Sequence, residues 1–232
     1  MSTAAGLMSR LLHVLAVLLV CGLSAFAAEK VDLQLVLAVD TSGSVDQTRF
    51  ELQRDGYAAA FRNRQVLNAI QSGSTQAIAV TMFQWTGPEL QTQVIPWTLI
   101  RDAAGAEAFA ARIEGTPRRL FSGGTSISGA IDFGVTLFPQ SQYQGLRRVI
   151  DVSGDGHNNR GRSAADARDA AVKDGIIING LPILALEPEL DRYYWNNVIG
   201  GPGSFMIAVE SYERFPEAVL KKLIQEIAAN AR

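Results

Sequence analysis

A chain of 232 residues, 47 % hydrophobic and 19 % charged, has the composition of a globular protein with a substantial core. Its formal net charge is −2, and its two arginine pairs, Arg118 with Arg119 and Arg147 with Arg148, are short and separated, so no basic footprint for nucleic acid is present. The single cysteine, Cys21, excludes an internal disulfide framework, leaving the core and any bound metal to hold the fold.

Residues 1–27 read as a cleaved signal peptide. Arg10 precedes the apolar run "LLHVLAVLLVCGLSAF", and Ala25 with Ala27 form a small-x-small cleavage signature. The run is shorter than the about 20 residues that cross a bilayer comfortably, which argues against an uncleaved anchor. Val20 stands where a lipoprotein signal has a small residue before its cysteine. Cleavage after Ala27 leaves 205 residues with no thiol and a net charge of −3, an exported protein, periplasmic or secreted, with no stable membrane insertion.

Residues 30–232 read as one domain. Val31 to Asp40, "VDLQLVLAVD", begins with polar alternation and becomes almost wholly apolar, as suits a strand in a sheet covered on both faces. Asp46 can cap a helix running to about Arg62, with Phe50, Tyr57, Ala58 and Phe61 on its apolar face. Ala77 to Trp85 and Gln91 to Leu99 read as two strands joined by a Gly87-Pro88 turn, and Pro96, lacking an amide donor, assigns the second of them to an edge. Ala103 to Glu114 follows as a helix closed by Gly115.

The glycine-rich "GGTSIS" then leads into a helix stopped by Pro139, and the strand "RRVIDVSGD" delivers Asp155 at its end. Ser163 and Asp166 start a helix that Gly175 closes, before an apolar strand "IIINGLPILAL". "DRYYWNNVIGGPG" reads as an aromatic loop open to a partner, "SFMIAV" as a last strand, and Tyr212 to Ala229 as a last helix packing Phe215, Val219, Leu223 and Ile227 on the sheet with Lys221, Lys222 and Glu226 elsewhere. The order predicts an α/β fold: an open, mostly parallel, doubly wound sheet with one antiparallel edge strand and helices on both faces.

In such sheets ligands bind beyond the carboxyl ends of the strands. Three loops there are rich in oxygen: "DTSGS", "SGGTS" and "SGDG". Short hydroxyls and carboxylates on tight turns suit a hard divalent cation, which takes oxygen donors and keeps several waters. The set resembles the metal-ion-dependent adhesion site of the von Willebrand factor type A family, whose motif is Asp-x-Ser-x-Ser, a distant Thr and a distant Asp. Asp40, Ser42 and Ser44, then Thr125, then Asp155 fill all five positions, and the chain is most similar to exported bacterial members.

The resemblance implies a Rossmann-like fold and Mg2+, or Mn2+ or Ca2+, as the cofactor. It also implies hydroxyl ligation by Ser42, Ser44 and Thr125, directly or through water, while Asp40 and Asp155 act largely through coordinated water. A cation with mostly neutral direct ligands stays electrophilic and takes a Glu or Asp carboxylate from a protein partner, so no catalytic residue is expected. The alternatives are a scaffold whose loop oxygens satisfy one another without a metal, and a metal-dependent hydrolase. Against the hydrolase, the chain has no G-x-S-x-G elbow, "GTSIS" failing at its fifth position. His157 is the one histidine left after cleavage and reads as a loop residue rather than a base. An EF-hand reading of Asp151 to Arg162 fails because Arg162 stands where a bidentate Glu is needed, and no phosphate-binding lysine accompanies "SGGTS".

Overall fold

The computed structural model describes residues 28–229; the expected signal peptide, with Arg10, Cys21 and Ala27, lies outside the described residues. The apolar runs form a five-stranded sheet in the order β3-β2-β1-β4-β5, with β1 at Glu29–Asp40, β2 at Ile78–Trp85, β3 at Gln91–Ile100, β4 at Tyr143–Gly154 and β5 at Ile177–Pro182. All neighbours are parallel except β2 and β3, so the Pro96 strand is the antiparallel edge, as predicted. Because β1 connects onward to β2 on one side and pairs with β4 on the other, the strand order reverses between β1 and β4. In an open sheet that reversal opens a crevice at the strands' carboxyl ends.

Each face of the sheet is covered by helices. Alternation along β1 sends Leu33, Leu35 and Leu37 to one side, where they meet α1 (Gln47–Arg62), α2 (Arg64–Gln71), α3 (Ala103–Glu114) and α7 (Phe215–Ala228). Val36 and Ala38 face the other side and pack under α4 (Ile127–Leu137), α5 (Ala164–Lys173) and α6 (Leu190–Asn197). The helix starts follow the expected chemistry: the Asp46 carboxylate accepts from the Arg49 amide at 2.8 Å, and Ser163 caps α5. Gly175, with φ of +73°, follows α5 as the left-handed terminator.

Three expectations are corrected and one helix is added. "DRYYWNN" is α6 rather than a loop, because Leu190 and Tyr194, four apart, pack inward, leaving Trp195 exposed. "SFMIAV" is not a strand: it makes only single bridges, Gly180 with Met206 and Ile183 with Val209, and β5 stops at Pro182 rather than near Leu186. A further helix, α2, follows α1 after the break at Asn63, burying Val66, Ala69 and Ile70. On α7, Lys222 and Glu226 are fully buried instead of facing away from the sheet. Among the described residues no helix is long and apolar enough to cross a membrane.

Candidate metal centre

Register places the site. Asp40 ends β1 opposite Trp85 of β2, while Val39 pairs with Ser153 of β4, so the turns after β1 and β4 emerge side by side. Asp40 is fully buried; its Oδ1 accepts from the Ser42 amide at 2.7 Å, the two-residue reach of a carboxylate folding its own turn. Gln53 of α1 donates to the Asp40 carbonyl at 3.2 Å. The hydroxyls of Ser42 and Ser44 lie 3.2 Å apart, and Ser44 Oγ donates to Asp155 Oδ1 at 2.6 Å across 111 residues of chain. The "DTSGS" turn and the "SGDG" turn therefore meet directly. Gly43 within the first turn has no positive φ.

Thr125 comes from a different direction. Gly123 and Gly124, with φ of +124° and +83°, make the left-handed turn that only glycine adopts readily, and a Cβ on Gly123 would lie 2.9 Å from Thr86 Oγ1. Ser126, not Thr125, caps α4, accepting from the Gly129 amide at 3.1 Å, so the Thr125 hydroxyl is not spent on the helix. Asn159 pins the Thr125 backbone, donating its amide to the Thr125 carbonyl at 2.9 Å and accepting from the Thr125 amide at 3.0 Å. The Thr125 hydroxyl consequently lies beside Gly156, 3.6 Å from where a Cβ would stand, one residue after Asp155. All five sequence-predicted residues thus gather at the β1/β4 crevice.

The electrostatics of this cluster are unbalanced. Asp40 Oδ2 is buried with no hydrogen-bond partner, and burial first, then the neighbouring Asp155 charge, push the Asp40 carboxyl up to about 7. Gly154 leaves room for that carboxylate: a Cβ there would come within 2.9 Å of Asp40 Oδ2 and 3.0 Å of the Tyr194 hydroxyl, which is itself buried without a partner. A buried orphan carboxylate oxygen on a turn whose two serine hydroxyls meet a second aspartate has the donor chemistry of a hard divalent cation, so the residues present fit such an ion. A cation bound here would supply a Lewis-acidic point that draws an anionic ligand.

Sequence reasoning missed several residues that shape the site. The Tyr212 hydroxyl donates to Asp155 Oδ2 at 2.8 Å, and burial followed by the Asp155 charge pushes that phenol upward, so it stays a donor. Arg49 Nη1 stands 3.7 Å from the same oxygen. Arg118 donates through Nη2 to the carbonyls of Thr41 and Ser42, each at 3.0 Å, and is held by a loop that Gln84 bonds on both sides, to the Pro117 carbonyl and the Arg119 amide. A single arginine or tyrosine in a loop or at a helix start carries no motif, so nothing in the sequence separated these from solvated side chains. His157 is exposed and paired with Glu187 at 2.9 Å, on the wall of an open hollow of about 540 Å³ beside the crevice, consistent with a rim residue. Replacing Arg118 by alanine frees two carbonyls of the "DTSGS" turn and is expected to weaken cation binding about tenfold, as loss of charge-assisted bonds to the ligand loop would. Calorimetric titration with Mn2+ measures this.

The fold is shared with known structures. Proximal thread matrix protein 1 from the mussel byssus superposes with a TM-score of 0.62 at 13 % identity, covering 87 % of this chain and 47 % of that one, and a second structure of that protein has zinc in its metal-ion-dependent adhesion site. The pilus adhesin SpaC from Lactobacillus rhamnosus GG gives 0.62 at 16 % identity over 86 % of this chain and 31 % of its own. A von Willebrand factor type A protein from Catenulispora acidiphila gives 0.54 at 15 % identity over 87 % and 43 %. The chain spans less than half the length of each, and at these identities the likeness establishes the von Willebrand factor type A fold alone. No curated protein sequence matches the chain. A family model described as "Protein of unknown function (DUF1194)" matches residues 30–231, and the chain belongs to that family.

Proposed function

We propose that this chain is an exported, non-catalytic binding domain that holds a divalent cation through Asp40, Ser42, Ser44, Thr125 and Asp155 and uses it to grasp an acidic residue of a protein partner. Mg2+ is the expected ion, with Mn2+ or Ca2+ as substitutes. The observation that carries this reading is the orphaned Oδ2 of Asp40, buried against the small Gly154 at the start of the turn that bears the Ser42 and Ser44 hydroxyls. A polar group left so costs free energy in a finished fold unless something binds it. The occurrence of a zinc-loaded site in a protein of the same fold is compatible with the proposal.

One observation favours the scaffold reading: both oxygens of Asp155 already have protein donors, Ser44 and Tyr212. Affinity capture by the mature domain in Mg2+ and in chelator, with an Asp40→Ala control, separates the two. Metal-bridged binding predicts partners retained in Mg2+ and lost both in chelator and with Asp40→Ala. Capture that is indifferent to both treatments would sink the metal-bridged reading in favour of the scaffold. Metal-dependent turnover of small hydrolysable esters, absent in Asp40→Ala, would bring back the hydrolase.

A further inference from the structure

The five oxygen-bearing residues do not act alone, because a fixed positive charge sits among them. Arg49 lies in the first turn of α1, where its amide is tied to the Asp46 cap, and its Nη1 donates to the Ser44 carbonyl at 2.6 Å. The guanidinium stands 3.7 Å from Asp155 Oδ2 and lies over the Tyr212 ring, 5.4 Å from its centroid. Another carboxylate whose charge it meets is Glu213, exposed in the 3-10 turn just before α7. Arg49 keeps 28 % of its side chain open to solvent, so one side is fastened to the ligand turn and the other faces outward.

The charges decide what this arrangement favours. Two aspartates balance one divalent cation, so the five residues alone would leave a loaded site neutral. Arg49 adds one positive unit in a half-buried place, where charges act more strongly than in bulk water. A guanidinium also carries several donors in a planar fork suited to a carboxylate, and Ser44 uses only one of them.

We propose that Arg49 is the second anchor for the partner's carboxylate: the cation draws one carboxylate oxygen and the Arg49 guanidinium the other. The proposal rests on the metal-bridged reading above and adds a specificity-determining residue to it. It carries a linkage. The charge that attracts the anion repels the cation, and a carboxylate seated on it offsets that repulsion, so the carboxylate and the cation each raise the affinity of the chain for the other. A side chain that merely braced the Ser44 turn would produce no such opposition.

The test uses Mn2+ alone and acetate as probes, with Arg49→Gln, which removes the charge but keeps a polar amide, and Arg49→Lys, which retains charge without the fork. Arg49→Gln is expected to bind Mn2+ about tenfold more tightly by calorimetry, the scale of one unit charge removed from a partly exposed site. Acetate binding to the Mn2+-loaded variant, followed by paramagnetic broadening of its carbon-13 carboxylate signal, is expected to weaken about tenfold. Arg49→Lys should fall between the two. If both affinities fall together, Arg49 only braces the turn and the proposal is overturned; if neither changes, it is overturned as well. Failure of the unmodified chain to take up Mn2+ would instead overturn the metal-bridged reading itself, a result distinguishable from either.

Discussion

Replacing Lys222 by alanine is expected to lower the stability of the fold by about 3–5 kcal/mol, the cost typical of removing one partner from a buried ion pair. The ammonium is fully buried on α7, 2.7 Å from Asp151 Oδ1 of β4 and 3.5 Å from Glu226 Oε1, and it lies 4.9 Å from the centre of the Phe205 ring. Asn179 of β5 donates to Glu226 Oε1 at 2.7 Å, completing a polar knot between the last helix and the two strands beneath it. Without Lys222, Asp151 and Glu226 remain in the core with their ammonium removed. Lys222→Met, which keeps most of the volume, should lose nearly as much, because the missing charge and not a cavity is responsible.

The loss should depend on pH in a stated direction. Burial is the main reason the Glu226 carboxyl is pushed up to about 7; the Asp151 charge adds to this and Lys222 opposes it. Between the unfolded value of 4.5 and about 7 the folded chain then binds more protons than the unfolded one, so Glu226's contribution is full below that window and is lost as pH rises through it. Removing Lys222 removes the opposing effect and steepens the decline. Urea denaturation at pH 5 and pH 8 should therefore show a larger deficit for Lys222→Ala at pH 8. Equal deficits would assign the loss to packing alone.

The second large effect belongs to Asp40. In metal-free buffer at pH 8, Asp40→Asn is expected to be more stable than the unmodified chain by about 1–2 kcal/mol, since it removes a buried charge that faces Asp155. The advantage should shrink toward pH 4, where the folded chain, with its Asp40 carboxyl pushed up to about 7, already holds the proton. Saturating Mg2+ should reverse the order: a ligand bound only by the folded state adds about 3 kcal/mol at a hundredfold excess over Kd, and the variant should gain nothing. Melting curves of both proteins at pH 8, with Mg2+ and with chelator, read this crossing. A parallel Mg2+ shift in the variant would remove Asp40 from the ligand set.

Much of this architecture was legible in the residues. The "LVLAVD" run announced a central strand ending on a carboxylate, Pro96 identified the edge, and "DTSGS", Thr125 and Asp155 fell at strand ends and a helix start as the resemblance required. Other features were hidden because their cause is long-range. Lys222 and Glu226 read as solvated helix positions, and only the Asp151 carboxylate inside the apolar "RRVIDVSG" strand hinted that a buried partner had to exist. In "DRYYWNN" the asparagines suggested a loop, whereas the four-residue spacing of Leu190 and Tyr194 was the stronger signal. Arg49 and Tyr212 converge on Asp155 from the two ends of the chain, a meeting that no local pattern encodes.

The bond from Ser44 to Asp155 also bears on how the molecule is made. It joins turns separated by 111 residues and exists only once β1 and β4 lie side by side in parallel, a pairing of distant segments that closes a long loop. An incompletely folded chain therefore has no cation site to fill. A cation bound there would leave the rate of folding unchanged and slow unfolding instead, acting only on finished molecules.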